Sequence, residues 1–322
     1  VWFPTANICY LTNDMITNVF AGNPLDRAAN LRRDDAWLEN QLKRDSTRFL
    51  LLWQLHALVT ESGQPEIAWQ TTEVAEPYLG NDQACVFLGL DGDAARFAID
   101  VSAASVEGTA PPFTERGRFG EVRALGSLVP LGEAGIIAQA RALIDWHSRH
   151  RHCAACGAST EVVEGGYQRS CSDATCGTQH FPRTDPVVIT LVHRPGVCLL
   201  GRSARFPTDL YSCLAGFMEP GESIEEAVRR EVFEECGIEV GRVHYHSSQP
   251  WPFPASLMIG CTGEGNTEHI EVDPVEIEDA NWYTRDQVIK ALDEGDPKTG
   301  LKIPSSLAIA HQLIRWWVEE GE

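Results

Sequence analysis

Gly216-Phe-Met-Glu-Pro-Gly-Glu-Ser-Ile-Glu-Glu-Ala-Val-Arg-Arg-Glu-Val-Phe-Glu-Glu-Cys-Gly-Ile238 is the stretch that decides the fold. Pro220-Gly221 makes a turn. Ser223, followed three residues later by Glu226, forms a capping box, so a helix starts there. Ile224, Val228 and Val232 recur every four residues and give that helix an apolar stripe, and Gly237 supplies its left-handed C-terminal cap. Glu231, Glu234 and Glu235 then stand at i, i+3 and i+4 and share one face. Three carboxylates side by side repel one another, and a divalent cation among them removes the repulsion. Oxygen ligands favour Mg2+ or Mn2+. Arg230 can pair with Glu222 or a neighbour and orient the cluster. The plain alternative is a solvated acidic helix face. It accounts for the charge but not for a glycine, an arginine and a turn at fixed offsets.

Upstream, the cysteines are spaced Cys153-x2-Cys156-x14-Cys171-x4-Cys176. Two close pairs suit one tetrahedral zinc, each pair on a turn that aims two thiolates at one point. A four-cysteine shell leaves no place for water, so the ion is structural, and such a site contributes roughly 10–16 kcal/mol of apparent binding energy to folding. The wider second pair requires a larger turn. Two disulfides or four unrelated cysteines are the alternatives. Most other cysteines sit singly in apolar runs, as free buried thiols do, which points to a reducing cytoplasm.

The chain has 322 residues, 43% hydrophobic and 22% charged, with 26 Lys+Arg against 46 Asp+Glu and a net charge of −20. This composition is globular and the length suggests two or three domains. The acidity argues against DNA binding and against a broad nucleic-acid-gripping surface. No run of 18 or more apolar residues is present, so no membrane-spanning helix is expected. Val1 to Tyr10 lacks a basic leader and does not read as a signal peptide. Residues 1–19 are set apart as a leader. Residues 20–130 alternate short apolar runs with turns and read as a scaffold or dimerisation domain, with strands at 49–53, 84–90 and 96–101. A linker helix over 131–150, with its periodic stretch from Gly132 to Arg151, leads into the zinc module at 151–182. Residues 183–322 form the domain that carries the acidic helix.

Beyond that helix lies Ser248-Gln-Pro-Trp-Pro-Phe-Pro-Ala-Ser256. Its prolines stiffen the backbone and present Trp251 and Phe253 in a rigid frame suited to stacking on planar rings. A packed aromatic loop without a ligand is the alternative.

The glutamate-rich stretch resembles the Nudix box at every defining position. The proline-aromatic loop resembles the signature of the NADH pyrophosphatase branch of that superfamily. The cysteine module, His180-Phe-Pro-Arg-Thr-Asp-Pro186, Phe20-Ala-Gly-Asn-Pro-Leu-Asp26 and Ile277-Glu-Asp-Ala-Asn-Trp282 agree with it, so the resemblance covers nearly all of residues 20–322. It departs only at Cys171-x4-Cys176, where x2 is commoner.

The resemblance implies an α+β fold. A Nudix α/β/α sandwich with a mixed sheet is preceded by a zinc ribbon and an N-terminal mixed α/β domain. It implies metal-dependent hydrolysis of NADH or NAD to nicotinamide mononucleotide and AMP, and removal of NAD caps from RNA 5′ ends. It further implies that Glu231, Glu235 and Glu276, with Glu234 in the cluster and the Ala215 carbonyl, hold two or three Mg2+ or Mn2+ ions. Glu234 is the candidate general base. Phe217 matches a ring-stacking position, and Gln249, Pro250, Trp251, Pro252, Phe253, Pro254, Ala255 and Ser256 match the substrate loop. Ala310 matches a late substrate contact, and Phe181 is placed at the pocket. One structural Zn2+ per chain, a homodimer and no membrane association complete the implied picture. The runner-up is a Nudix hydrolase preferring ADP-ribose or another dinucleotide. A zinc-containing binding protein with an inactive Nudix domain is the reading from another class. The acidity is itself partly local, because Glu219 to Glu239 holds eight glutamates against Arg229 and Arg230, and cations among them would reverse the local field.

Overall fold

The computed structural model describes residues 17–80, 85–104, 111–293 and 300–321. Most of the stretch read as a leader lies outside them. Its last residues do not stand apart from the fold. Asn18 is buried and donates to Ser247 Oγ (3.0 Å) and to the Ser248 carbonyl (2.9 Å).

The N-terminal domain is built on β1 (Arg48–Trp53), β2 (His56–Val59), β3 (Cys85–Asp91), β4 (Ala94–Asp100) and β5 (Arg118–Gly120). They form one sheet in the order β3-β4-β1-β2-β5, with β1 parallel to β4. Leu50 and Leu52 face one core and Phe49 and Leu51 the other, the two-residue alternation of a strand covered on both faces. Helices α1 (Asp35–Leu42) and α2 (Thr72–Ala75) accompany the second face. Beside the first lie α3 (Val122–Leu125) and α4 (Leu131–Arg149). The helix read as a linker therefore does more than link. Ala134, Ile137, Ala140 and Ile144 of α4 are buried in the core of this domain. The polar ends of β2 and β5 gave no alternation long enough to mark them as strands.

Strands β6 (Thr160–Val163), β7 (Gln168–Cys171) and β8 (Gln179–His180) make the small antiparallel sheet that carries the cysteines.

The C-terminal domain holds β9 (Asp185–Arg194), β10 (Val197–Arg202), β11 (Leu214–Phe217), β12 (Val240–Trp251), β13 (Ser256–Gly265) and β14 (Asp279–Thr284). The sheet runs β12-β13-β9-β10-β14, with β11 also on β9, and only β13 and β9 are parallel. Helix α5 (Ile224–Cys236) covers one face through Ala227, Val228, Val232 and Cys236. Helices α6 (Arg285–Asp293) and α7 (Ile309–Glu319) cover the other through Val288, Leu313, Ile314 and Trp317. This is the mixed-sheet sandwich expected from the sequence. Among the described residues no helix is long and apolar enough to cross a membrane.

Candidate active site

Helix α5 begins and ends as its sequence dictates. Ser223 Oγ accepts from the Glu226 amide (3.3 Å) while Glu226 accepts from the Ser223 amide (2.7 Å). At the other end Gly237 takes φ 69° and donates to the Phe233 carbonyl (2.8 Å). The turn before the helix is locked by Glu222, which accepts from the Glu219 amide (2.8 Å).

Arg230 organises the acids. Its guanidinium donates to Glu222 (2.5 and 2.8 Å), Glu231 (2.8 Å), Glu234 (3.0 Å) and the Phe217 carbonyl (2.9 Å). One side chain thus joins the turn, the helix and β11. These bonds hold the Glu222 carboxyl down to about 2. Gly216 on β11 is what lets Glu231 cross the strand, since a Cβ there would lie 1.9 Å from Glu231 Cδ.

Glu235 is only 7% exposed, and its Oε2 has no hydrogen-bond partner. Burial first, then the charges of Glu231 and Glu276, push its pKa up to about 8. Burial also raises Glu231. Glu276 lies in the loop before β14, whose Asp273 amide donates to the Glu235 carbonyl (3.0 Å), so the loop is fastened to the end of α5. Ala215 is the residue of β11 opposite Ile189. An orphaned, buried carboxylate oxygen among mutually repelling acids fits a divalent cation held by oxygen donors. Among the described residues only the cysteines bring three or more ligand atoms within 4.8 Å of one another, so the glutamates stand further apart. Arg230 keeps the exposed Glu234 and the half-buried Glu231 on its own side.

The residues expected to meet substrate fall into two groups. Phe217 and Phe181 are each 61% exposed, open to a planar ring. Gln249 is 1% exposed, and its carboxamide is fully used. It donates to the carbonyls of Val19 (3.0 Å) and Leu307 (2.8 Å) and accepts from the Ile309 amide (2.9 Å). It therefore fixes the start of α7, where Ala310 is buried. Trp251 and Phe253 pack edge-on against Phe20, with ring centroids 6.0 and 5.9 Å away. The Arg123 guanidinium lies 5.3 Å from the Trp251 ring and 4.8 Å from that of Phe253, and Arg141 4.7 Å from that of Phe253. Arg141 also donates to the Pro252 carbonyl. A cavity of about 460 Å3 lies between this loop, α4 and the zinc module, with Pro250, Trp251, Pro252, Ala255 and Ser256 on its wall beside Arg27, Arg183 and Tyr167. None of the candidate metal glutamates lines it. Asn18, Phe20, Arg123 and Arg141 carried no sequence signal for this role, because they act across a fold-level contact.

The four cysteines converge. Sγ atoms of Cys153 and Cys176 are 3.8 Å apart and those of Cys156 and Cys171 3.4 Å. A tetrahedral zinc with bonds of about 2.3 Å requires sulfur edges of about 3.8 Å. The first knuckle closes from the Gly157 amide to the Cys153 carbonyl (2.9 Å) and the second from the Gly177 amide to the Asp173 carbonyl (3.0 Å). Asp173 thus occupies the position in the second turn that Cys153 holds in the first. Its carboxylate accepts from the Thr175 amide (2.8 Å), and two extra residues carry the chain back to Cys171. This is the larger turn that the wider spacing requires.

Together these features define a hydrolase built on a carboxylate-bearing helix, with a zinc ribbon on its N-terminal side. Family models match along the chain: an NADH pyrophosphatase-like rudimentary NUDIX domain at 46–146, an NADH pyrophosphatase zinc ribbon domain at 148–181 and a NUDIX domain at 182–301. The chain is 39% identical to the human NAD-capped RNA hydrolase NUDT12 over 96% of its own length and 75% of that protein. It is 34% identical to the NAD-capped RNA hydrolase of Schizosaccharomyces pombe, covering 92% and 91%. It is 41% identical to the human mitochondrial NAD(P)H pyrophosphatase NUDT13, covering 64% and 60%. The chain belongs to the Nudix hydrolases, in their NADH pyrophosphatase branch, and its zinc ribbon carries a structural zinc site.

Proposed function

We propose that this enzyme hydrolyses the diphosphate of NADH and NAD to nicotinamide mononucleotide and AMP, and removes NAD caps from RNA 5′ ends. The observation that carries this reading is the buried, unpartnered Glu235 oxygen beside Glu231 and Glu276. Glu231, Glu235 and Glu276, with Glu234 and the Ala215 carbonyl, would hold Mg2+ or Mn2+, two or three ions in all. When bound, the cations neutralise charge on the diphosphate oxygens and activate the attacking water. Arg230 keeps Glu231 in place and balances part of the cluster's charge. Glu234, exposed at the edge of the cluster, accepts the proton of the attacking water. Phe217 stacks on a ring of the substrate. The loop of Trp251 and Phe253 keeps one shape because the N-terminal domain grips it.

Phe181, exposed at the end of the zinc module, lines the pocket, and the enzyme acts as a homodimer in which a loop aromatic reaches the partner's site. Five cysteines outside the zinc site, Cys85, Cys198, Cys213, Cys236 and Cys261, form no disulfide and support a reducing setting such as the cytoplasm. The experiment is incubation with NADH, NAD, ADP-ribose and NAD-capped RNA, with and without Mn2+, and chromatography of the products. AMP and the mononucleotide from NADH, with decapped RNA, support the reading. Preference for ADP-ribose, or no hydrolysis of any of them, overturns it.

A further inference from the structure

In a chain of net charge −20, residues 147–152 read His-Ser-Arg-His-Arg-His. This run leaves α4 and enters the zinc ribbon. Arg149 is neutralised by Asp145 at 3.0 Å. Arg151 is not: it forms no ion pair among the described residues. The chain beyond it is held in place by the Thr160 amide, which donates to the Arg151 carbonyl (2.9 Å), and by a strand-like bridge between His152 and Ser159.

Arg151 and His152 wall a cleft of about 450 Å3 that also contains Arg169 of β7. Arg169 is 8% exposed. Its partners are all neutral: Thr160 Oγ1 (2.7 Å), the Thr160 carbonyl (2.8 Å) and His147 Nδ1 (3.0 Å). His147 Nε2 meets the Gly166 carbonyl (2.8 Å), so the ring donates there and receives the guanidinium proton as a neutral imidazole. A guanidinium withdrawn from water without a counter-charge is costly. A second guanidinium in the same cleft adds repulsion. Among the described residues Glu161 is the one acid on the wall, against two arginines, and Ser159 and His152 add hydrogen-bonding groups. An oxyanion in the cleft would meet one buried and one exposed arginine.

We propose that this cleft binds phosphodiester groups of the RNA chain that follows an NAD cap. The proposal rests on the decapping activity proposed above and assigns the RNA body a place outside the glutamate cluster. A free phosphate presents the same chemistry. The RNA chain is favoured because the cleft, of about 450 Å3, holds two arginines in a chain of net charge −20 and none of the cluster glutamates lines it.

The test compares the wild-type enzyme with Arg151→Ala, Arg151→Glu and His152→Ala, all at exposed positions. Three quantities are measured: kcat/KM on NADH, kcat/KM on an NAD-capped RNA of twenty nucleotides, and binding of the same RNA without a cap, each across a salt series. For Arg151→Glu, kcat/KM on capped RNA should fall about tenfold. The slope of log affinity against log salt should shrink by about 0.7, the loss of one phosphate contact on a single strand. NADH hydrolysis should stay within about twofold of wild type. Equal losses on NADH and capped RNA, or no loss on either, overturn the proposal. So does uncapped RNA binding that the variants leave unchanged. Competition by inorganic phosphate at concentrations that match RNA binding would make the cleft a free-phosphate site and would also overturn it. If the wild-type enzyme leaves capped RNA intact, the decapping reading fails, and the binding of uncapped RNA still decides this one.

Discussion

Gly216 and Glu231 occupy adjoining space: a Cβ on Gly216 would sit 1.9 Å from Glu231 Cδ. The glycine is fifteen residues away in sequence, yet it sets the position of the carboxylate. Gly216→Ala should therefore push Glu231 out of the cluster without unfolding the sheet. A misplacement of about 1 Å costs about 10²-fold in rate, so kcat on NADH should fall by about that factor while the melting temperature stays near wild type. Steady-state kinetics with a thermal melt checks both.

Glu235 makes stability depend on pH and metal together. Its folded pKa of about 8 lies above its ordinary 4.5. Between those values the folded protein holds a proton that the unfolded chain has released. Glu235's contribution to the stability of the protein without its divalent cations should therefore be fully present below about pH 4.5 and be lost as pH rises through about 8. Mg2+ or Mn2+ should restore it, with a gain that grows over the same range. Glu235→Gln should flatten both trends. Melting curves from pH 5 to 8.5 of protein with its zinc ribbon loaded, without added divalent cation and with Mn2+, measure this.

Gln249 is expected to act on stability before substrate. Gln249→Leu keeps the bulk but strips the partners from the Val19 and Leu307 carbonyls and the Ile309 amide. The Ile309 amide bond is buried and the two carbonyls are partly so, and a buried group left unpaired costs about 1–3 kcal/mol, so unfolding in urea should show a loss of that order. A stable variant whose only defect is a raised KM would place the side chain on the substrate instead.

The acidic helix, its caps, its buried stripe and the cysteine module were legible because each is written in local spacing. Ser223 with Glu226 and Gly237 act over three or four residues, and the cysteine pairs over three and five. The grip of Phe20, Arg123 and Arg141 on Trp251 and Phe253 was not legible. It joins residues more than a hundred positions apart, and no periodicity records such a contact. Gln249 reads in sequence as a polar residue of a binding loop, and only its burial reveals that its hydrogen bonds are spent. The role of α4 was half legible, since its apolar spacing marks a helix but not the sheet against which it packs.

The zinc site should govern stability and not product identity. Cys153→Ser leaves three thiols where Sγ atoms now lie 3.4–3.8 Å apart in pairs. The variant should lose its zinc, as read by metal analysis, and should melt at a markedly lower temperature. Any residual activity should still give AMP. A stable zinc-free Cys153→Ser protein would refute the structural role.

The central claim is that these carboxylates serve a divalent cation that makes diphosphate hydrolysis possible. The direct measurement is NADH hydrolysis by the metal-stripped enzyme, zinc ribbon intact, as Mg2+ or Mn2+ is titrated in. AMP and reduced nicotinamide mononucleotide should form only with the added cation, and Glu235→Gln should abolish that response. Hydrolysis undiminished in the stripped enzyme, or no hydrolysis at any cation concentration, would contradict the account.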